Sequence, residues 1–286
     1  MPITYEMEFY KDGFFGYGAE GDFVQWSLAH FLPIVVTVAI IILISRKREA
    51  LRNWKHEKGL RFVIVSAIVL FEMAYYWRLL YVGPGGSDGG NTFMDRLPIQ
   101  VCEWTALITA LMMAMKSKRL FSMCFFLTMS FSLLPLLFPA VITETGPEYF
   151  RYYQFWCVHL IPIIGVYYMM FVHGMRVRPM GIVYVYIMMA ILVVPSLILN
   201  GMYEAADYLY LKPEHFEMLS FLPNSLPVMI ALYAVVVSAL MGLDWLVYRL
   251  ATRKSRALEK AQIEAAKTVA TPESEAPAIV EETHLE

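Results

Sequence analysis

The chain has 286 residues, of which 58% are hydrophobic and only 17% charged, and its mean hydropathy is +0.53. A soluble domain has no way to hide that much apolar surface, whereas lipid accepts it directly. The net charge of −2 points to neither a nucleic-acid nor an acidic partner, and three cysteines inside apolar runs do not make a disulfide framework.

The first 22 residues are acidic, with Lys11 as their only basic residue, the reverse of a secretory leader. They are read as an extracytoplasmic segment. A bilayer core needs about 20 apolar residues in helical form. Seven runs qualify, at 23–45, 60–82, 97–115, 120–142, 152–172, 179–203 and 222–248. The expected fold is therefore all-α, a polytopic membrane protein with a seven-transmembrane-helix bundle over 23–250. Pro135 and Pro139 interrupt the fourth run and Pro195 the sixth, as happens where a span bends beside a cavity.

Lys and Arg collect in cytoplasmic loops. Arg46, Lys47, Arg48, Arg52, Lys55, Lys58 and Arg61 follow the first run, Lys116, Lys118 and Arg119 the third, and Arg176 and Arg178 the fifth. Arg249, Arg253, Lys254, Arg256, Lys260 and Lys267 follow the seventh. Only Lys11, Arg78, Arg96, Arg151 and Lys212 fall on the other side, so the N-terminus is expected outside and the C-terminus in the cytoplasm of a cell-membrane protein. The glycine-rich 83–91 reads as a flexible outer loop. Residues 251–286 read as a charged cytoplasmic helix over 251–268, then a disordered tail poor in groups to bury. No internal repeat, glycine-rich phosphate loop or soluble catalytic domain is visible.

Ionisable groups inside a membrane are costly and mark function by default. At about 1.5 Å of rise per residue, His30 and His159 lie roughly 12 Å below the outer boundary, Glu72 about 15 Å, Cys102 about 9 Å, and Arg78 and Asn200 about 6 Å. Gln100 and Glu103 flank Cys102. Five runs thus contribute to one layer in the outer half, which predicts a shared cavity. Taken singly, a buried Cys is usually a filler, as expected for Cys124 and Cys157, and a His or Asn is often interhelical glue.

A thiol with an imidazole in reach favours acyl transfer: the thiolate attacks an ester carbonyl and the histidine protonates the leaving alkoxide. Cys102 and His159 are the candidate pair. Glu72 or Glu103 would orient the imidazole, Arg78 would hold a phosphate, and Asn200 or Gln100 would donate to an oxyanion. His30 would line the same cavity. The partners on this reading are membrane phospholipids, as acyl donor or acceptor, with no cofactor. Two alternatives use the same layer: a transporter or solute-binding protein, and a metal site from His30, Glu72, Cys102 and His159. A retinal photoreceptor is disfavoured because the seventh run lacks a lysine.

The segments RLPIQVCEW (96–104) and FWCVHLIPI (155–163), Arg178-Pro179, Asn200 and DYLYLKP (207–213) resemble the YwaF family of bacterial integral membrane proteins, over about residues 20–245. That family is related to a eukaryotic multipass acyltransferase that moves fatty acyl chains onto ether lysophospholipids. The resemblance implies a nucleophilic cysteine after an LPxxxC stretch, here Cys102, and a histidine in an HxxP context, here His159. It singles out Cys102 over Cys157. The chain departs from the family pattern at Gln100, where a histidine is usual, at Asp207, where an asparagine is usual, and in FLPNSLP (221–227), which replaces a GPWPWY-like stretch.

Overall fold

A computed structural model of the chain describes residues 13–16, 23–82, 97–139, 145–203, 206–212 and 225–270. The glycine-rich 83–91, most of 1–22 and the tail from 271 onward lie outside the described residues. Every regular element among the described residues is helical: α1 (Leu28–Arg46), α2 (Arg48–Arg52), α3 (Glu57–Val82), α4 (Val101–Met115), α5 (Lys118–Leu127), a π-helix (Thr128–Ser132), α6 (Leu133–Leu137), α7 (Phe150–Phe171), α8 (Met180–Met202), a 3₁₀ turn (Tyr208–Tyr210), α9 (Leu226–Ala251) and α10 (Arg253–Ala270). The chain divides into compact units at Asp244/Trp245.

Among the described residues six helices are long and apolar enough to cross a membrane: α1, α3, the α5–α6 run, α7, α8 and α9. The expected third span is shorter. Its helix has 15 residues, about 22 Å at the usual rise, because a capping box of Gln100 and Glu103 sets its start at Val101. The α4 N-terminus is closed by Glu103, whose carboxylate accepts from the Gln100 N–H at 3.0 Å. The α5 N-terminus is closed by Ser117, which accepts from Leu120 N–H at 3.3 Å.

The central element is α7. It packs against α1, α3, α4, α5, the π-helix and α6, and buries Phe155, Trp156, Leu160 and Ile163 with Phe23, Leu136 and Tyr152 in one apolar cluster. Small residues let neighbours approach closely. A Cβ at Gly181, at the start of α8, would stand 2.5 Å from the Ser122 carbonyl oxygen of α5.

Prolines and helix ends release backbone carbonyls, and side chains take them up. Pro33 cannot donate to Ala29, and the Tyr152 hydroxyl donates to Ala29 O at 2.5 Å instead. At the end of α6, His30 Nε2 lies 2.7 Å from Leu136 O, and Gln25 donates to Leu137 O at 3.1 Å. At the opposite end of the bundle, Arg61 donates to Met113 O at 2.7 Å and Ala114 O at 3.1 Å, and Arg52 donates to Val172 O at 2.5 Å. Glu57 joins them. It accepts from Arg61 at 3.2 Å, His173 at 2.7 Å and Tyr168 at 3.2 Å, with Lys116 3.6 Å away.

Burial, the largest influence, holds the His173 imidazole below its ordinary value against the opposing pull of Glu57. The folded state therefore binds this proton more weakly than the unfolded chain. Stability from this site is present above about pH 6.5, the ordinary histidine value, and declines as pH falls below it. Thermal melts of detergent-purified protein between pH 7.5 and 5 should show a decline that is shallower in His173→Gln. A second expectation concerns Gly181→Ala, which forces a methyl into a backbone carbonyl. It should cost about 1–3 kcal/mol, typical of overpacking, and a Tm equal to that of the parent would show that the α5–α8 contact yields freely.

Candidate functional site

The expected polar layer divides into two groups. Side chains of the first group satisfy backbone. The Trp26 N–H donates to His30 Nδ1 at 2.9 Å, so Nδ1 accepts and Nε2 carries the proton that goes to Leu136 O. This fixes a neutral tautomer, holds Trp26 at its left-handed φ of 67°, and places the ring against Trp156 at 5.6 Å. His30 thus bridges the start of α1 and the end of α6. Arg78, expected at a phosphate, donates to Gly16 O at 3.0 Å.

Asn200 and Gln100 belong to the same group. Asn200 grips the backbone of Tyr208 from both sides, accepting from its N–H at 2.8 Å and donating to its carbonyl at 3.0 Å. Gln100 Oε1 accepts from Leu209 N–H at 3.1 Å. Tyr233 donates to Tyr210 O at 2.6 Å, and Asp207 accepts from Lys212 N–H at 2.9 Å. These bonds hold a turn in which Leu209 and Tyr210 both take positive φ, 62° and 53°. Each such residue costs about 1–2 kcal/mol unless its surroundings enforce it.

The second group converges. Glu72 of α3 is 2% exposed, and its Oε2 has no hydrogen-bond partner among the described residues. Glu72 lies in electrostatic reach of Glu103 of α4 and Arg151 of α7. Glu103 accepts from the Tyr76 hydroxyl at 2.7 Å and also senses Arg151. Cys102, half-buried, senses Glu103 and Glu72, and its thiol faces Phe131 O at 3.9 Å. That carbonyl lacks its α-helical donor because residue 135 is proline. The guanidinium of Arg151 stacks over Tyr75 at 4.7 Å and donates to Gln154, which in turn donates to Phe71 O at 3.2 Å.

His159, 7% exposed, sits two turns below Arg151 on α7 and within its electrostatic reach. Its Nδ1 lies 2.7 Å from Phe155 O. A carbonyl only accepts, so Nδ1 carries the proton and Nε2 of the neutral ring presents a lone pair. That is the tautomer a general base requires. The hydrogen bonds of Cys102 and His159 both run to backbone carbonyls, Phe131 O of the π-helix and Phe155 O of α7 respectively. Among the described residues no three His, Cys, Asp or Glu side chains form a metal-holding group.

A family model described as the TMEM164 family matches residues 25–245. The chain belongs to the TMEM164 family. The matched region runs from just before α1 almost to the end of α9 and contains every residue of both groups. No curated protein and no solved structure matches the chain.

Sequence reading alone missed Arg151, Tyr76, Gln154 and Tyr210. Arg151 looked like a boundary charge, and the tyrosines like interface anchors. The available signal was position: Arg151 stands eight residues, about two turns, before His159, and so on the same face of α7. His30→Ala should lower Tm by about 1–3 kcal/mol of stability, the cost of orphaning buried polar groups, while the alkylation rate of Cys102 stays unchanged. A large change in that rate would instead put His30 in the Cys102 compartment.

Proposed function

We propose that the protein catalyses acyl transfer on membrane phospholipids through Cys102 as nucleophile and His159 as base, as an acyltransferase or thiol-dependent lipid hydrolase. The observation that carries this reading is the reach of Arg151, which acts at once on Glu72, Glu103 and His159. Glu72 and Glu103 are electrostatic neighbours of both Arg151 and the Cys102 thiol, and His159 is a neighbour of Arg151, which supports a shared compartment. The proton-accepting nitrogen of His159 and the LPxxxC and HxxP contexts of the pair support the same chemistry.

The reaction runs in two halves. The Sγ proton of Cys102 passes to His159 Nε2, and sulfur bonds to the ester carbonyl carbon. The alkoxide then leaves with the proton from the imidazolium, yielding a lysolipid and a thioester. In the second half the acceptor hydroxyl, or water, loses its proton to His159, attacks the thioester and restores the thiol.

In the bilayer the proposal has seven crossings, with Leu97–Gln100 extending short α4 to make the third. The N-terminus is outside and the α10 end in the cytoplasm, as the Lys and Arg distribution favours. The compartment then opens toward the outer leaflet of the cell membrane. Glu72 Oε2, buried with no hydrogen-bond partner among the described residues, also suits a ligand site in a transporter.

Liposomes containing purified protein and a phospholipid labelled in its acyl chain separate these readings. The wild type should acquire hydroxylamine-labile label on Cys102, Cys102→Ala none, and His159→Ala label at least about 10²-fold more slowly, as for loss of a general base. Full lipid turnover by Cys102→Ala would end the covalent mechanism. Solute flux without any thioester would favour transport.

A further inference from the structure

We infer that the hydroxyl of Tyr210 is a further catalytic group, the donor that stabilises the oxyanion formed when Cys102 attacks an ester. This rests on the acyl-transfer reading and deepens it. Asn200 and Gln100, the side chains first in line for that task, are bonded to the backbone of the 208–210 turn. What they do is aim the turn.

The aiming is specific. Gln100 precedes Cys102 by two residues, so its bond to Leu209 ties the turn to the first turn of α4, where the thiol projects. Asn200 locks the residue on one side of Leu209, and Tyr233 holds the carbonyl of Tyr210 on the other. Two successive non-glycine residues with positive φ are an uncommon local cost, tolerated where the surroundings over-determine the geometry. A turn whose only task was to connect α8 to α9 would relax it. Here the left-handed backbone at Tyr210 decides where its ring goes. The Cys102 thiol, Arg151 and Tyr75 are all among the electrostatic neighbours of its phenol.

The phenol is also in the right protonation state. Tyr210 keeps 37% of its surface exposed; desolvation by the surrounding chain is still the largest influence in holding the phenol above its usual range, and Cys102 and Asp207 add to this, with Arg151 opposing. Tyr210 therefore keeps its proton at any physiological pH and acts only as a donor to developing charge. As sulfur bonds to the carbonyl carbon, the C=O π pair moves onto oxygen, and the O–H of Tyr210 donates a hydrogen bond to it without transferring its proton. When the pair returns to form the thioester carbonyl, the C–O bond to the leaving alcohol breaks and the imidazolium supplies that alcohol's proton. A hydrogen-bond donor placed where charge develops is worth about 10²–10³ in rate.

The test is Tyr210→Phe in the same liposomes, which keeps the ring and every backbone bond of the turn. Two rates are read: thioester formation on Cys102 from labelled phospholipid, and alkylation of Cys102 by a membrane-permeable haloacetamide, a displacement at saturated carbon that forms no oxyanion. The expected result is thioester formation slowed about 10²-fold with alkylation changed less than about twofold. An unchanged thioester rate overturns the inference and leaves the acyl-transfer reading standing. Equal slowing of both reactions also overturns it, by making Tyr210 a support for the thiol. A wild type that forms no thioester fails the acyl-transfer reading, and the inference falls with it.

Discussion

The structure depends on one constraint: in an apolar medium, every backbone carbonyl released by a proline or a helix end needs a donor from elsewhere in the chain. The bundle releases many. Pro33 frees Ala29 O inside α1, Pro135 frees Phe131 O in the broken fourth span, and α4, α6 and α7 each end with open carbonyls. Tyr152, Cys102, Arg61, His30, Gln25 and Arg52 answer these positions in turn. Most of these bonds join two helices, so backbone irregularity in one element becomes an interhelical tie.

This constraint explains which parts of the site were legible in the sequence and which were not. Depth was readable, since residue counts from charged boundaries put His30, Glu72, Cys102, His159 and Asn200 in one zone. Role was not. A histidine that feeds a broken helix end and a histidine that presents a lone pair look alike in sequence. They separate only when the partners of both ring nitrogens are known: an amide and a carbonyl for His30, one carbonyl on Nδ1 for His159. Fold legibility had a similar limit. Apolar runs marked α1, α3 and α7–α9 well, because hydrophobicity alone specifies a span. The start of α4 was misjudged by several residues, because the capping box of Gln100 and Glu103 acts through hydrogen bonds that hydropathy does not register.

Arg151 shows why a boundary residue can act as a hub. It stands one residue into α7, the helix that touches most of the bundle, so its long side chain comes within electrostatic reach of groups on neighbouring helices. A cation there has two carboxylates, Glu72 and Glu103, within electrostatic reach and an aromatic face, Tyr75, to rest on. A guanidinium suits this position. It remains charged when partly desolvated, stacks through its plane and donates from several directions.

The departures from the resembling family follow the same hydrogen-bond logic. Gln100 stands where a histidine is usual, and in this chain its task is to accept from Leu209 N–H, which an unprotonated imidazole nitrogen also does. Asp207 stands where an asparagine is usual, and its task is to accept from Lys212 N–H through one oxygen, which either side chain supplies. Both changes thus keep an acceptor aimed at the same backbone donor. Neither alters a group facing Glu72 or His159. What the two positions preserve is the shape of the turn over Cys102, and that shape is costly: left-handed Leu209 and Tyr210 stay in place only because bonds from α4, α8 and α9 converge on three consecutive residues. Weakening one of them shifts its burden to the others, so their effects are expected to be coupled and not additive.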